Sequence, residues 1–186
     1  MAETELLQSE TPLLRQLIGR YHLPIDILTL DAELLFPETY GLWRRLEDRY
    51  EFMIRAVQPA LTVEKQTITC GQSLWSRKPY KCCETRTVSS LALELSEFDA
   101  WVTAIGHDQT AARSEAPTVG WEPKFGLVKV NRLVRWFNKD VWAYLHRNKV
   151  PYNSLRDRGY PSIKCHPCNS FGGRKRPGRP LARCGH

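Results

Sequence analysis

The run Pro24-Ile25-Asp26-Ile27-Leu28-Thr29-Leu30 decides the fold. After the proline, β-branched and large apolar residues fill nearly every position, the composition of a strand buried in a parallel sheet. Working outward, Leu13, Leu14, Leu17 and Ile18 fall at helical spacing and predict a helix over Leu13–Tyr21. On the other side a helix is expected over Thr39–Tyr50, just past Phe36-Pro37-Glu38, and a second strand at Leu61–Val63. Cys82–Leu95 reads as a helix with Leu91 and Leu95 on one face, and Ala100–Ile105 as a short apolar strand followed by a polar segment at Asp108-Gln109. Leu127–Val130 is expected as a strand, and Asn138-Lys139-Asp140 offers a cap for a helix over Val141–Arg147. Residues 148–162 read as a loop around Pro151, Gly159 and Pro161. Strands alternating with helices imply an α/β layer fold with a mainly parallel sheet and flanking helices.

At 186 residues the chain suits one domain, because a chain of roughly 150 residues can bury about 70% of its unfolded surface. Residues 1–168 are assigned to that domain and 169–186 to a basic, Gly- and Pro-rich tail. No apolar run approaches the ~20 residues of a membrane span, and Met1–Leu14 is acidic and lacks the basic start and apolar stretch of a secretory leader. A cytoplasmic location is therefore expected, where paired cysteines bind metal or do redox chemistry more often than they form structural disulfides. The net charge of +7 is concentrated in the tail: residues 164–186 carry Lys164, Arg174, Lys175, Arg176, Arg179 and Arg183 and no acid. Such a cluster suits a phosphate or sulfate on a small molecule, or a nucleic-acid backbone.

The cysteines carry the chemistry. Cys82-Cys83 and Cys165-His166-Pro167-Cys168 together supply four thiolates, the number that holds an iron–sulfur cluster. Neighbouring cysteines on a helix point about 100° apart, so both reach one metal body only if it is large or lies near the helix end. A [4Fe–4S] cubane meets that demand better than a single tetrahedral zinc, with inert or redox-paired thiols as the remaining alternative. Cys70, before Gly71-Gln72-Ser73, reads as a small buried hydrophobe. Cys184, in Arg183-Cys184-Gly185-His186, reads as a reactive thiol. Its basic neighbourhood favours the ionised, nucleophilic form.

These residues resemble the assimilatory sulfonucleotide reductases, in particular the iron–sulfur adenylyl-sulfate (APS) reductases of the phosphoadenylyl-sulfate (PAPS) reductase family. The matching stretches are 23–31, Leu35-Phe36-Pro37-Glu38-Thr39-Tyr40, Cys82-Cys83-Glu84-Thr85-Arg86, Trp101-Val102-Thr103, Asp108-Gln109, Lys129-Val130-Asn131, 140–144 and most of 150–168. The resemblance implies an adenine nucleotide α-hydrolase-like fold and a [4Fe–4S] cluster held by Cys82, Cys83, Cys165 and Cys168. It also implies reduction of APS to sulfite and AMP through an S-sulfonate on Cys184, released by thioredoxin or glutaredoxin. Arg113, and Arg176 and Arg179 of Arg176-Pro177-Gly178-Arg179, correspond to substrate-binding arginines, and His186 to the histidine of the family's C-terminal motif, one residue closer to the cysteine. APS is favoured over PAPS, a homo-oligomer is possible, and no membrane is involved.

Departures gather on the nucleotide side. The family begins with a strand and a Ser/Gly-rich phosphate loop; here the chain starts near that loop, and Leu7-Gln8-Ser9-Glu10 is expected to be at most a remnant of it, with no glycine before Gly19. The family's Asp-Thr-Gly is Asp31-Ala32-Glu33, its lysine after the paired cysteines is Thr87, and its Thr-Gly near the adenine is Thr103-Ala104, with Gly106 at an arginine position. Losing a charge-assisted hydrogen bond alone costs about 1.5–3 kcal/mol, so the cluster ligands are better preserved than the nucleotide site. A missing strand exposes a sheet edge or vacates a central slot. Two alternatives follow: an iron–sulfur protein of this family without reductase activity, and, less favoured, a nucleic-acid-binding tail at Lys175-Arg176-Pro177-Gly178-Arg179-Pro180.

Overall fold

A computed structural model describes residues 25–104, 106, 115–160 and 162–169. The decisive run becomes β1 (Leu28–Leu30), paired in parallel with β2 (Arg55–Val57), Leu28 opposite Arg55 and Leu30 opposite Val57. Parallel neighbours need a crossover, and α1 (Pro37–Tyr50) supplies it. Pro37 sits in the first turn, where its missing N–H costs nothing. Thr39, Leu42, Leu46 and Tyr50 are the buried positions of α1, and Leu42, Leu46 and Tyr50 pack with Ile27 and Ile54.

The strand expected at Leu61–Val63 is not one. Thr62 instead accepts a hydrogen bond from the Lys65 N–H at 3.2 Å and caps α2 (Val63–Cys70), while the second strand lies earlier, at β2. A hydroxyl cap outweighs the strand preference of one valine. At the far end of α2, Gly71 takes φ +78°, and a Cβ there would lie 2.7 Å from Arg77 Nη2. Arg77 uses that nitrogen to close off the Cys70 carbonyl at 2.6 Å. Cys70 is half-buried at this helix end, which corrects its reading as a buried hydrophobe.

α3 (Leu74–Arg77) and α4 (Pro79–Cys83) lead into a π-helical turn, Glu84–Val88, and then α5 (Ser89–Leu95). Here the expected helix over Cys82–Leu95 holds, with an irregularity the periodicity did not reveal. The buried positions are Cys82, Arg86, Leu91 and Leu95, so the middle step is five residues where the others are four. The π turn absorbs the extra residue and keeps the inward face continuous.

β3 (Ala100–Thr103) and β5 (Leu127–Asn131) run parallel, and β4 (Val119–Glu122), absent from the sequence reading, pairs antiparallel with β5 in the order β3-β5-β4. Among the described residues the two sheets are not hydrogen-bonded to each other. Side chains bridge them: Leu30 and Trp101 both pack on the cluster of Leu91, Leu95 and Leu127. The helix α6 (Asn138–Arg147) begins ahead of the expected Val141, and the Asp140 carboxylate accepts the Phe137 N–H at 2.9 Å. No helix among the described residues is long and apolar enough to cross a membrane. The expected helix at Leu13–Tyr21, Ile105 at the end of the β3 strand expectation, and most of the tail lie outside the described residues.

Two outcomes test this packing. Leu46 is fully buried in α1, so Leu46→Ala is expected to cost about 2–5 kcal/mol in chemical denaturation. Glu38, in the first turn of α1, is held below the usual carboxylate range by a backbone hydrogen bond at the helix start, helped by Arg158. A lowered folded pKa adds stability that is present above the unfolded value of about 4.3 and lost as pH falls through the folded value. Glu38→Gln should therefore cost no more than about 1 kcal/mol at neutral pH, given solvent screening. That difference should vanish in acid, as read by unfolding midpoints across pH.

Candidate functional site

Open α/β sheets bind ligands at the carboxyl ends of their parallel strands, and the end of β1 is built by Asp31-Ala32-Glu33. The Asp31 N–H continues the ladder to Val57 O at 3.0 Å. Its Oδ1 accepts from the Glu33 N–H at 2.8 Å and from the Tyr40 hydroxyl at 2.7 Å. Burial first, and then the Asp31 carboxylate, push the Tyr40 pKa upward. Tyr40 therefore stays a neutral donor across ordinary pH.

Glu33 stands where a glycine was expected and adopts φ +55°. The left-handed conformation costs a side-chain-bearing residue roughly 1–2 kcal/mol. Its carboxylate Oε2 accepts from Arg86 Nη2 at 2.8 Å and from the Val63 N–H at 2.9 Å. Arg86, whose side chain is 1% exposed, spends its other donors on Ala32 O at 2.8 Å, Leu61 O at 3.1 Å and Gln66 Oε1 at 3.2 Å. Gln66, also buried, then donates to Cys82 Sγ at 3.9 Å. A chain of polar contacts thus runs from the end of β1 to the first of the paired cysteines.

Cys82 is buried in α4 and Cys83 beside it is half-buried. Cys165 caps a 3-10 turn, His166–Cys168, that ends on Cys168 and has Pro167 in its first turn. The Cys168 N–H donates to Cys165 O at 2.9 Å, and Asn169 ties the loop through Lys164 N at 3.0 Å and Ser162 O at 2.8 Å. The His166 N–H donates to Leu34 O at 2.6 Å, and its ring stands edge-on to Phe36 at 4.8 Å. The turn packs on α3, which also packs on α4. Both cysteine pairs therefore border one short helix. Among the described residues, no three His, Cys, Asp or Glu groups converge into a site for a single metal ion.

Several motif residues hold the fold together. Thr103 donates to Asn131 Oδ1 at 2.8 Å, linking the ends of β3 and β5, and Asn131 Nδ2 donates to Pro117 O at 2.7 Å. Asn153 donates to Thr39 Oγ1 at 3.0 Å and accepts from the Leu155 N–H at 3.1 Å. Thr87 is half-buried in the π turn, and Ala104 is buried beyond β3. Arg113, Arg176, Arg179, Cys184 and His186 lie outside the described residues. Arg86 is the residue sequence reasoning missed. Its place four residues after Cys82, on the same inward face of the helix, is the signal that points to it.

The phosphoadenosine phosphosulfate reductase domain model matches residues 12–171. The chain belongs to the phosphoadenosine phosphosulfate reductase family. Its relatives in that family include an adenosine 5'-phosphosulfate reductase of Salinibacter ruber, 39% identical over 76% of this chain and 56% of the relative. Proteins of the same name from Halalkalibacterium halodurans and Geobacillus kaustophilus are 35% and 39% identical, over 86% and 83% of this chain and 70% and 66% of theirs. The chain thus spans from 56% to 70% of the length of these relatives. A crystal structure of phosphoadenylyl-sulfate reductase from Candida auris, as a phosphate complex, superimposes with a TM-score of 0.71 over 91% of both chains at 24% identity, which supports the fold. The reductase-type α/β fold read from the sequence is the fold found.

Within this family member, removing the guanidinium of Arg86 strands the carbonyls of Ala32 and Leu61 and the Glu33 carboxylate. Arg86→Met is expected to lose about 3 kcal/mol or more, measured as a drop in the urea unfolding free energy.

Proposed function

We propose that the chain works as a sulfonucleotide reductase of the APS type, in a cytoplasmic, reducing compartment. The observation that carries the reading is the meeting of both cysteine pairs around α3, joined through Gln66 and Arg86 to the carboxyl end of β1. The names of the relatives, adenosine 5'-phosphosulfate reductase, support APS as substrate.

Cys82, Cys83, Cys165 and Cys168 are the residues that would hold a [4Fe–4S] cluster. An all-thiol donor set suits it, and a cubane offers separate corners to thiolates. A single zinc would instead require sulfurs gathered within about 3.8 Å of one another, as ~2.3 Å bonds in a tetrahedron demand. A bound cluster would supply polarisable sulfur and iron centres at the cysteine end of the site.

In the proposed cycle the Cys184 thiolate attacks the sulfur of APS. A sulfur–sulfur bond forms, the sulfur–oxygen bond breaks, and AMP leaves with the electron pair. A thioredoxin or glutaredoxin dithiol then attacks Cys184 Sγ and expels sulfite. Its second thiol restores Cys184 and leaves the reductant as a disulfide, so two electrons pass to the sulfonate. Arg113, Arg176, Arg179 and His186 are proposed to hold the anionic substrate, as bidentate guanidinium pairing allows. A second reading, an iron–sulfur family member without reductase activity, is favoured by Thr87, which lacks a lysine's charge, and by the carboxylate of Glu33 at the strand end.

Anaerobically purified protein is expected to carry four irons per chain and a broad visible absorption near the blue. Cys82→Ser and Cys168→Ser should abolish both. With APS and reduced thioredoxin, sulfite should be released and S-sulfonate should appear on Cys184, and Cys184→Ser should eliminate both. A cluster-loaded protein that neither releases sulfite nor becomes sulfonated would establish the second reading.

A further inference from the structure

The sheet of β3, β5 and β4 is apolar on both faces, and one of them is open. Trp101 and Leu127 turn to one side, where they pack with Leu91 and Leu95 of α5. Side chains alternate along a strand and directly paired residues share a face. Ala100, Val102, Val128, Val130, Val119 and Trp121 therefore turn to the other side. All six are apolar, yet Val102, Val119 and Trp121 are 39%, 60% and 65% exposed. This face runs out to a free edge, because β4 has no strand beyond it among the described residues. The Asn131 N–H donates to Thr118 O at 2.7 Å, and bonded and non-bonded pairs alternate along an antiparallel ladder. Gly120 and Glu122 are thus the residues bonded to β5, whereas Val119 and Trp121 turn their N–H and C=O groups outward. An exposed apolar edge of this kind is a template for another strand. The next positions facing that edge are Pro117 and Pro123, which have no N–H to offer. The usable edge is therefore Val119 to Trp121.

We propose that β4 is a dimerisation edge, pairing antiparallel with β4 of a second copy of this chain about a two-fold axis through Gly120. Such a contact uses the same patch on both copies, so it closes at two. In this register Val119 and Trp121 of the second copy exchange both backbone hydrogen bonds, and Trp121 and Val119 of the second copy do the same. Sliding the strands by two residues would instead set a proline opposite one of them. Gly120 meets its own counterpart at the non-bonded position, where Cα atoms approach to about 4.5 Å and a residue without a side chain is the easiest fit. Val130 and Val119 then continue into Trp121 and Val128 of the second copy as one apolar row across the joined sheet, an aromatic and β-branched pairing that stabilises sheets. Glu122 falls opposite Thr118 of the second copy and is already paired with Lys129 at 2.9 Å, so no like charges confront each other. The contact is small. Two half-exposed tryptophans, at about 150–250 Å² per aromatic when fully buried, and two valines stay below the ~1,200 Å² of a stable interface. The dimer is therefore reversible, with a Kd on the order of tens of micromolar. This inference does not depend on the reaction proposed above.

Sedimentation of the full chain, purified anaerobically with thiols reduced, tests it over a concentration series from about 1 to about 500 µM, which brackets that Kd. Wild-type protein should pass from monomer to dimer and go no further. Trp121→Glu and Val119→Pro should each raise the Kd at least about tenfold. The proline removes only an N–H that β5 does not use. Ile68→Glu, which takes an 86% exposed apolar side chain from α2, should dimerise as wild type does. Hydrogen exchange on the wild-type chain gives a second readout that needs no variant to fold. The amides of Val119 and Trp121 should exchange fast in dilute protein and slow as the dimer forms. A chain that stays monomeric throughout overturns the proposal, as does a dimer that both edge variants leave intact or that Ile68→Glu weakens equally. Amides of Val119 and Trp121 that stay fast in the dimer place the interface elsewhere and overturn it. Amides already slow in the dilute monomer show the edge to be covered by the chain itself, which also overturns it.

Discussion

Arg86 is a charge placed where water does not reach, and the surrounding chain is arranged to tolerate it. A buried guanidinium is stable only if every donor finds an acceptor and its charge a counter-ion. Meeting that demand draws together four separate stretches: the end of β1 through Ala32 and Glu33, the loop before α2 through Leu61, α2 through Gln66, and the helix that carries Arg86 itself. The paired cysteines are fixed by the same constraint, because Cys82 lies one turn before Arg86 and receives the amide of Gln66. The π turn follows from it too. Arg86 and Leu91 can face inward on one continuous helix only if one extra residue is taken up between them.

The candidate site is thus less a pocket than a polar spine with the cysteines at one end and the strand terminus at the other. On the sulfur side the Cys165–Cys168 turn is held from outside, by the His166 N–H on Leu34 O and by both ends of the Asn169 side chain. Such external anchoring keeps two sulfurs in place without a disulfide. At the end of β1 the residues that depart from the family pattern have structural roles. Ala32 offers only its carbonyl, and Glu33 keeps the backbone shape of a glycine while adding a carboxylate.

Much of the fold was legible because it follows local rules. β1, α1, β3, β5 and the helix through Cys82 and Leu95 were read from apolar runs and helical spacing, and each is present. The errors have local causes. Thr62 turned an expected strand into a helix start, and the exposed strand β4 carries too little apolar alternation around Gly120 to announce itself. Motif residues such as Thr103, Asn131 and Asn153 were visible as a family signature, but their work as buried cross-links was not, since partners such as Pro117 and Thr39 are distant in sequence.

By itself the sequence determined the α/β class, the family, and the presence of four thiols in two pairs, because composition, periodicity and motif spacing are properties of neighbouring residues. Tertiary structure alone decided that both pairs border α3, that Arg86 is buried, and that Glu33 serves as its counter-ion. Those facts depend on burial and on contacts such as Glu33 to Arg86, 53 residues apart. Spacing along a chain does not encode which distant carboxylate a desolvated charge will find.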